Sequence, residues 1–179
     1  MRRRISAGRR AYHAVLFTAL GVALIAQLCL LFVLPVGGMR WLVAVGWALF
    51  AFSAVLGWLP ILTFRLRGRV AKGKSYVHTT ELVTSGIYSI VRHPQFFAAD
   101  LLAAAVMCIA QHWSVVAAGV VAVATNHLTM QKADDDLVDK FGDPYRDYMR
   151  RVPRWNLATG IFRRLRSGRT TLRQERNDV

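Results

Sequence analysis

Two adjacent stretches without a charged residue constrain the fold of this chain more than any other feature of its sequence. Residues 12–35 and residues 41–64 contain no Asp, Glu, Lys or Arg. Each stretch is about 24 residues long, enough for a helix to cross a hydrocarbon layer of ~30 Å at ~1.5 Å per residue. Buried helices of a soluble core are rarely so long and so free of charge. We therefore interpret both stretches as transmembrane helices, the first of them retained rather than cleaved as a signal peptide.

Two further apolar runs follow, at residues 96–110 and residues 113 to about 130. The first of these is broken only by Asp100, and a tight turn is expected between them at residues 111–112. The sequence therefore predicts an all-α integral membrane protein with about four transmembrane helices, followed by amphipathic helices at the C-terminal side.

The charge of the chain indicates which side of the membrane each segment faces. A net charge of +14 on a chain that is 54% hydrophobic fits either a nucleic-acid binder or a membrane protein. The first loop contains only Arg40, whereas basic residues are frequent at the N-terminus, in residues 65–92 and after residue 131. By the positive-inside rule, we expect these segments and both termini on the cytoplasmic side of the membrane. The membrane is expected to be a bacterial-type inner membrane or another cell membrane. The basic tail lacks the interleaved aromatics that stack on bases, so we expect no nucleic-acid partner.

This pattern predicts four segments along the chain. They are a basic cytoplasmic N-terminus at 1–11, a transmembrane domain at 12–130 with a cytoplasmic loop at 65–95, cytoplasmic helices at 131–157, and a basic tail at 158–179. The two cysteines, Cys29 and Cys108, lie in apolar runs without a CxxC motif or a Cys/His cluster, so neither a disulfide nor a metal site is expected.

The first polar block sets Arg92-His93-Pro94 at the start of the third apolar run. Pro94 fits the first turn of a helix, where its missing N–H is not needed. The free N–H groups of that turn, together with Arg92, form a potential anion site. The alternative is that Arg92 reaches a lipid phosphate and His93 only caps the helix.

Asp100 is an acid in an otherwise apolar helix, and such a residue is a functional-site hypothesis by default. The alternative is a carboxyl group hydrogen-bonded inside the bundle, to Asn126 or Tyr88. Asn126 and His127 fall at a similar depth on the fourth run, where they are expected to meet Asp100 and help line the same pocket.

The second polar block, residues 131–155, carries apolar and aromatic residues at helical spacing. Gly142 and Pro144 interrupt this pattern, which predicts two short helices. The alternative is a helix that lies in the membrane interface. The residues that recur are Leu137, Phe141, Tyr145 and Tyr148.

The stretch LVTSGIYSIVRHPQFF followed by DDDLVDKFGDPYRDYMRRVPRW resembles the paired signature of the isoprenylcysteine carboxyl methyltransferase and phospholipid methyltransferase group of membrane enzymes. The resemblance covers about residues 75–157. It departs from the family pattern at Phe96, where Tyr is usual, and at Ala133 and Asp134, where a pair of Glu residues is usual.

The resemblance implies a methyltransferase that uses S-adenosylmethionine as donor and a hydrophobic, prenylated or lipid acceptor within the bilayer. The residues it places at the cofactor are Gly86, Tyr88, His93, Pro94, Phe96, Asp134, Tyr145 and Tyr148. The candidate catalytic residues are Arg92, His93, Asp100 and Asp134, and the candidate substrate-binding residues are Asn126 and Arg154.

The chemistry of the donor suits these residue types. A carboxylate such as Asp134 can hold the donor's ammonium, and His93 can hold its carboxylate. Aromatic side chains can stack on adenine or face the sulfonium. A carboxylate acceptor needs no base, whereas an amine or thiol acceptor does, and the candidates are His93, Asp134 and Asp100.

Two other functions fit parts of the pattern. Membrane sterol reductases resemble this C-terminal region, share an Arg-His-Pro element and use NADPH. A non-catalytic membrane adaptor that kept the fold after losing the Glu pair is the other alternative.

Overall fold

The computed structural model describes residues 7–36, 38–67, 82–154 and 156–163, and every regular element in them is helical. The predicted all-α fold is therefore confirmed. A 3-10 helix, Gly86–Ser89, precedes the third α-helix, and residues 157–163 are also helical and are named α6. The five longer helices are α1 (Ala7–Val33), α2 (Arg40–Arg67), α3 (Pro94–Ala110), α4 (Trp113–Phe141) and α5 (Asp143–Arg151).

Three of the described helices are long and apolar enough to cross a membrane. They contain the segments Ala14–Val33, Arg40–Thr63 and Trp113–Phe141. Helix α3 is also apolar, but its 17 residues are fewer than the ~20 that a full crossing requires. The chain is thus an integral membrane protein, with a shorter apolar helix where the third of four spans was predicted.

Helix α4 is longer than the apolar pattern predicts. We expected the fourth apolar helix to end near residue 130 and two separate short helices to follow, but α4 continues to Phe141 and only α5 is separate. Residues 131–141 contain neither Gly nor Pro, and Lys132 Nζ lies 3.6 Å from Asp135 Oδ2 one turn away. The break comes at Gly142, whose φ of 66° suits glycine.

The chain divides into two compact units. The first unit contains Met1–Trp58 and Gln95–Lys140, and the second unit contains Leu59–Pro94 and Phe141–Val179. The predicted boundaries at residues 11, 130 and 157 stay predictions. Residues 1–6 of the basic N-terminus, most of the loop at 65–95 and residues 164–179 of the basic tail lie outside the described residues.

Polar side chains on α1, α2 and α4 donate hydrogen bonds to the backbone of α3. The buried side chain of Gln27 on α1 donates from Nε2 to the carbonyl oxygen of Ala103 at 2.9 Å. Ser53 Oγ on α2 donates to Ala98 O at 2.7 Å, and Asn126 Nδ2 on α4 donates to Phe96 O at 2.8 Å. Polar side chains of this kind join helices in an apolar environment.

Small residues bring these helices close together. A Cβ on Gly46 of α2 would lie 2.8 Å from the carbonyl oxygen of Ala105 and 2.6 Å from a side-chain carbon of Ile109. A Cβ on Gly119 of α4 would lie 2.5 Å from Gln27 Nε2. Glycine at these two positions lets the backbones approach, which is how helices pack in membranes.

The α1–α2 loop and the α3–α4 turn meet at one end of the first unit. The side chain of Gln111 accepts a hydrogen bond from the N–H of Met39 and donates one to its carbonyl oxygen, each at 3.1 Å. Gln111 has a φ of 51°, consistent with the tight turn predicted at residues 111–112. Trp41 and Trp113 are exposed and lie in the first turns of α2 and α4, which start at this end. Tryptophan is enriched at membrane–water interfaces, so both positions fit such an interface.

The described part of the second unit contains the end of α2, the 3-10 helix, α5 and α6. Tyr148 on α5 donates from its hydroxyl to the carbonyl oxygen of Tyr88 at 2.6 Å. A Cβ on Gly160 of α6 would overlap the carbonyl oxygen of Ile90, so α6 can contact the backbone after the 3-10 helix only with glycine at this position. Asn156 Oδ1 accepts from the N–H of Thr159 at 3.0 Å and caps α6.

Replacing Gly46 by Ala should destabilise the protein. The new methyl group would meet the α3 backbone, and overpacking of this kind costs roughly 1–3 kcal/mol. The free energy of unfolding, measured by denaturant titration in detergent micelles, should fall. The matched control is Gly21→Ala on α1, where a Cβ meets nothing within 4 Å. Equal stability of the two variants would contradict the close α2–α3 contact.

Replacing Tyr148 by Phe should loosen the second unit. The loss of a hydrogen bond costs about 1 kcal/mol, and amide hydrogen exchange in residues 86–92 should accelerate. The exposed Tyr12, changed to Phe, is the control and should leave exchange in this segment as it is in the wild type. Unchanged exchange in the Tyr148→Phe variant would show that this hydroxyl does not hold the segment.

Candidate active site

The first motif folds as a 3-10 turn whose first residue has a conformation that favours glycine. Gly86 has a φ of 64°, and a Cβ there would lie 2.9 Å from the side chain of Thr63. Ser89 Oγ donates to Gly86 O at 2.7 Å and closes the turn. Burial raises the pKa of the Tyr88 phenol, so this hydroxyl stays protonated at neutral pH and cannot serve as a base.

The Arg-His pair is joined to the end of the second motif by main-chain hydrogen bonds. The N–H of Arg92 donates to Pro153 O at 3.0 Å, and the N–H of His93 donates to Arg154 O at 3.1 Å. Both side chains are buried, as is Val91 beside them. These bonds bring together two motifs that lie about sixty residues apart in the chain.

The two tyrosines of the second motif form the buried face of α5. Tyr145 and Tyr148 are one turn apart on α5, and their ring centroids are separated by 5.7 Å. Pro144 in the first turn and the positive φ of Gly142 explain why α5 starts at this point. Tyr148 reaches the backbone of Tyr88, so the aromatic face also contacts the first motif.

Pro94 is the first residue of α3, as predicted from its fixed φ and missing N–H. Phe96 follows in the first turn, and its ring centroid lies 6.4 Å from that of Phe17 on α1. Phe96 therefore has an aromatic neighbour within the first unit. Its role at the cofactor stays a prediction.

Asp100 and Asn126 meet in the first unit, which confirms the contact expected between them. Asn126 Nδ2 lies 2.7 Å from Asp100 Oδ1. Asn126 is only 1% exposed, whereas Asp100 is partly exposed. His127, expected at the same pocket, is exposed.

Asp134 is buried on α4 with 2% of its surface exposed. A buried carboxylate has to be matched by hydrogen bonds or a positive group. Asp134 belongs to the first unit, and Arg154, which is half-buried, belongs to the second. Their predicted roles at the donor and at the acceptor stay predictions.

Sequence reasoning missed two kinds of residue. It gave no role to Gln27 and Ser53, although a polar side chain in a charge-free helix is a signal for interhelical hydrogen bonding. The sequence also did not predict that the carbonyl oxygen of Pro153, in the second motif, accepts a hydrogen bond from the N–H of Arg92. Within the described residues, no group of three or more His, Cys, Asp or Glu side chains is arranged to hold a metal ion.

Comparison with known families agrees with the helical membrane architecture, and its match includes the first motif. The model of the phospholipid methyltransferase family matches residues 41–143, which is more than half of the chain. This range includes most of α2, the 3-10 helix, α3 and α4. Comparisons with curated proteins and with solved structures gave no match. The extent of the family match, on a helical membrane protein that carries the paired motifs, shows that the chain belongs to the phospholipid methyltransferase family.

Proposed function

We propose that this protein transfers the methyl group of S-adenosylmethionine to a hydrophobic or lipid-linked acceptor at the cytoplasmic face of the membrane. Its family makes it a membrane methyltransferase for lipid substrates. The donor, the membrane face and an isoprenylcysteine-type acceptor are parts of the proposal. The observation that carries the proposal is the main-chain pairing of Arg92 and His93 with Pro153 and Arg154, which joins the two motifs in one unit.

The residues of the second unit fit the donor by their chemistry. Its carboxylate requires hydrogen-bond donors and positive charge, and Arg92 and His93 are buried side chains that supply both. Its adenine and sulfonium require aromatic surface, which Tyr88 and Tyr145 supply. Gly86 and Pro94 set the backbone that positions these side chains.

When bound, the donor supplies an electrophilic methyl group on a positively charged sulfur. The residues of the chain then contribute mainly by position, because an in-line displacement requires the acceptor atom, the methyl carbon and the sulfur to be aligned. The tyrosine face of α5 and the Arg-His pair are buried, and shielding of this kind from water favours such a displacement. Tyr88 stays protonated and contributes a hydrogen bond or an aromatic surface rather than a base.

The cytoplasmic location rests on charge. Basic residues crowd the segments before and after the apolar helices, and the α1–α2 loop carries only Arg40. The Gln111–Met39 contact sets the α3–α4 turn beside that poorly charged loop. This arrangement supports an outer position for the loop and the turn, and a cytoplasmic position for the opposite ends of the helices.

Replacing His93 by Ala should weaken donor binding. A hydrogen bond to a charged group contributes about 1.5–3 kcal/mol, so the Kd for S-adenosylmethionine should rise roughly 10- to 100-fold. Isothermal calorimetry of the purified protein in detergent measures this change directly. His112→Ala is the matched control, because His112 lies at the α3–α4 turn and bonds Ser114 at 2.8 Å.

The same titration separates the alternative functions. Heat with NADPH and none with S-adenosylmethionine would overturn the proposal in favour of a reductase. Binding of neither cofactor would favour the adaptor. Incubation with isotope-labelled donor and total membrane lipid, followed by mass spectrometry, then identifies the molecule that gains the methyl group.

A further inference from the structure

We propose that the exposed face of α6 binds the surface of a bilayer that contains anionic lipids, and that this contact holds in place the backbone that leads into Arg92. The face consists of Ala158, Ile161 and Phe162, and Arg163 follows it at the end of the helix. These residues lie outside both motifs, so the inference concerns a membrane contact and does not depend on which donor or acceptor the protein uses.

The two sides of α6 have different environments. Gly160 is buried on one side, where its backbone comes close to the carbonyl oxygen of Ile90. Ala158, Ile161 and Phe162 are exposed and, at positions i, i+3 and i+4, they share the other side. Ile161 is 42% exposed and Phe162 is 66% exposed. Two large apolar side chains next to each other on the outer side of a docked helix indicate a surface that contacts another apolar phase.

The charge of this part of the chain indicates what that phase carries at its surface. Residues 148–174 contain eight Arg and no Asp, Glu or Lys. The exposed Arg163 lies next to Phe162, and three further Arg follow within the next six residues of the sequence. An apolar helix face flanked by arginines is the pattern of helices that lie in the interface of a membrane with anionic lipids.

The contacts of the second unit bring α6 close to the end of a membrane-spanning segment. That segment, Arg40–Thr63, ends within this unit. A Cβ on Gly86 would lie 2.9 Å from the side chain of Thr63, and Ile90 directly follows the 3-10 helix that Gly86 begins. Since Gly160 packs against Ile90, the 3-10 helix links α6 to the residue at which the apolar segment ends. A bilayer surface is therefore within reach of α6.

The combination of apolar and basic groups selects a bilayer rather than a soluble ligand. A free phosphate can neutralise Arg163 but leaves Phe162 in water. A neutral bilayer surface can cover Phe162 but offers Arg163 no net negative charge. The surface of a bilayer with anionic headgroups offers hydrocarbon and negative charge at adjacent depths, so it satisfies both side chains together.

The same helix restrains the start of the Arg-His segment. The carbonyl oxygen of Ile90 lies where a Cβ on Gly160 would be, so α6 limits how far this peptide group can move. Two residues further on, the N–H of Arg92 bonds the carbonyl oxygen of Pro153 at 3.0 Å. When α6 is held on the membrane, opening of this segment requires α6 to leave the lipid or to lose its contact with Ile90. Exchange of the Val91 and Arg92 amide hydrogens reports such opening.

Hydrogen exchange of the full chain in nanodiscs tests the membrane contact. One set of discs contains phosphatidylcholine alone, and the other contains equal parts of phosphatidylcholine and phosphatidylglycerol. We expect phosphatidylglycerol to slow exchange in residues 157–163 by about tenfold or more, since each Arg near an anionic surface contributes about fivefold to binding. Inorganic phosphate added to the phosphatidylcholine discs should have no such effect.

Matched substitutions separate the two parts of the surface. Phe162→Ala should remove most of the protection by phosphatidylglycerol, whereas Phe32→Ala, at an exposed phenylalanine of α1, should keep it. Arg163→Gln should lower the protection about fivefold, whereas Arg40→Gln should keep it. Phe162 and Arg163 are exposed, so both variants are expected to fold as the wild type does.

Gly160→Ala tests the link between α6 and the Arg-His segment. This variant keeps the exposed side chains but cannot keep the close contact with Ile90. In the wild type, phosphatidylglycerol should slow exchange at Val91 and Arg92 as well, and in Gly160→Ala this effect should disappear. Phe162→Ala provides a second measurement, because loss of the lipid contact should return both amides to the exchange seen in phosphatidylcholine discs. Slow exchange that persists at Val91 and Arg92 in these variants would overturn the link.

Three results would overturn the lipid contact itself. Equal exchange of residues 157–163 in the two kinds of disc would show that anionic lipid does not bind there. Protection by inorganic phosphate alone would assign the arginines to a soluble anion. Protection that appears only as the protein concentration rises in detergent micelles would assign the apolar face to a second copy of the chain.

Discussion

Hydrogen bonds to the carbonyl oxygens of α3 are the interactions on which the rest of the first unit depends. Gln27, Ser53 and Asn126 come from three different helices, and each donates to a carbonyl oxygen of this one short helix. Lipid offers no driving force for bringing apolar helices together, so polar contacts and close packing have to supply it. Gly46 and Gly119 allow the close approach that these short side chains need to reach the α3 backbone.

The second unit uses the backbone in a similar way. Its two motifs meet through the N–H groups of Arg92 and His93, while Tyr148 bonds the carbonyl oxygen of Tyr88. The residues joined in this way belong to the two motifs on which the resemblance to membrane methyltransferases rests. The two tyrosines of α5 and the Arg-His pair are buried within this unit.

Much of the fold could be predicted because long apolar runs and a proline report local structure. The helices, the turn at residues 111–112 and the start of α3 at Pro94 all follow from such signals. The meeting of Asp100 and Asn126 was also predicted, from depth along two adjacent helices. The rest depends on how helices face one another, which no local pattern records. The roles of Gln27 and Ser53, and the pairing of main-chain atoms across about sixty residues, belong to this class.

The continuous α4 was not predicted because hydropathy falls at residue 131, whereas no Gly or Pro interrupts the helix before Gly142. A run without Gly or Pro carries the helix past the apolar region to Phe141. Membrane-spanning patterns therefore report where a helix is apolar, and breakers report where it stops. The predicted roles of Asp134, Phe96 and Arg154 concern contacts with the methyl donor and the acceptor, and they stay predictions.

The bonds at Arg92 and His93 have a consequence for how such an enzyme diversifies. They are formed by peptide groups, and Pro153 contributes only the oxygen that every residue possesses. The two bonds themselves are therefore available to any non-proline residue at positions 92 and 93, although a replacement there also has to fit the buried space of the present side chains. Substitutions of similar volume can change the chemistry at this junction and still keep the main-chain bonds that join the motifs.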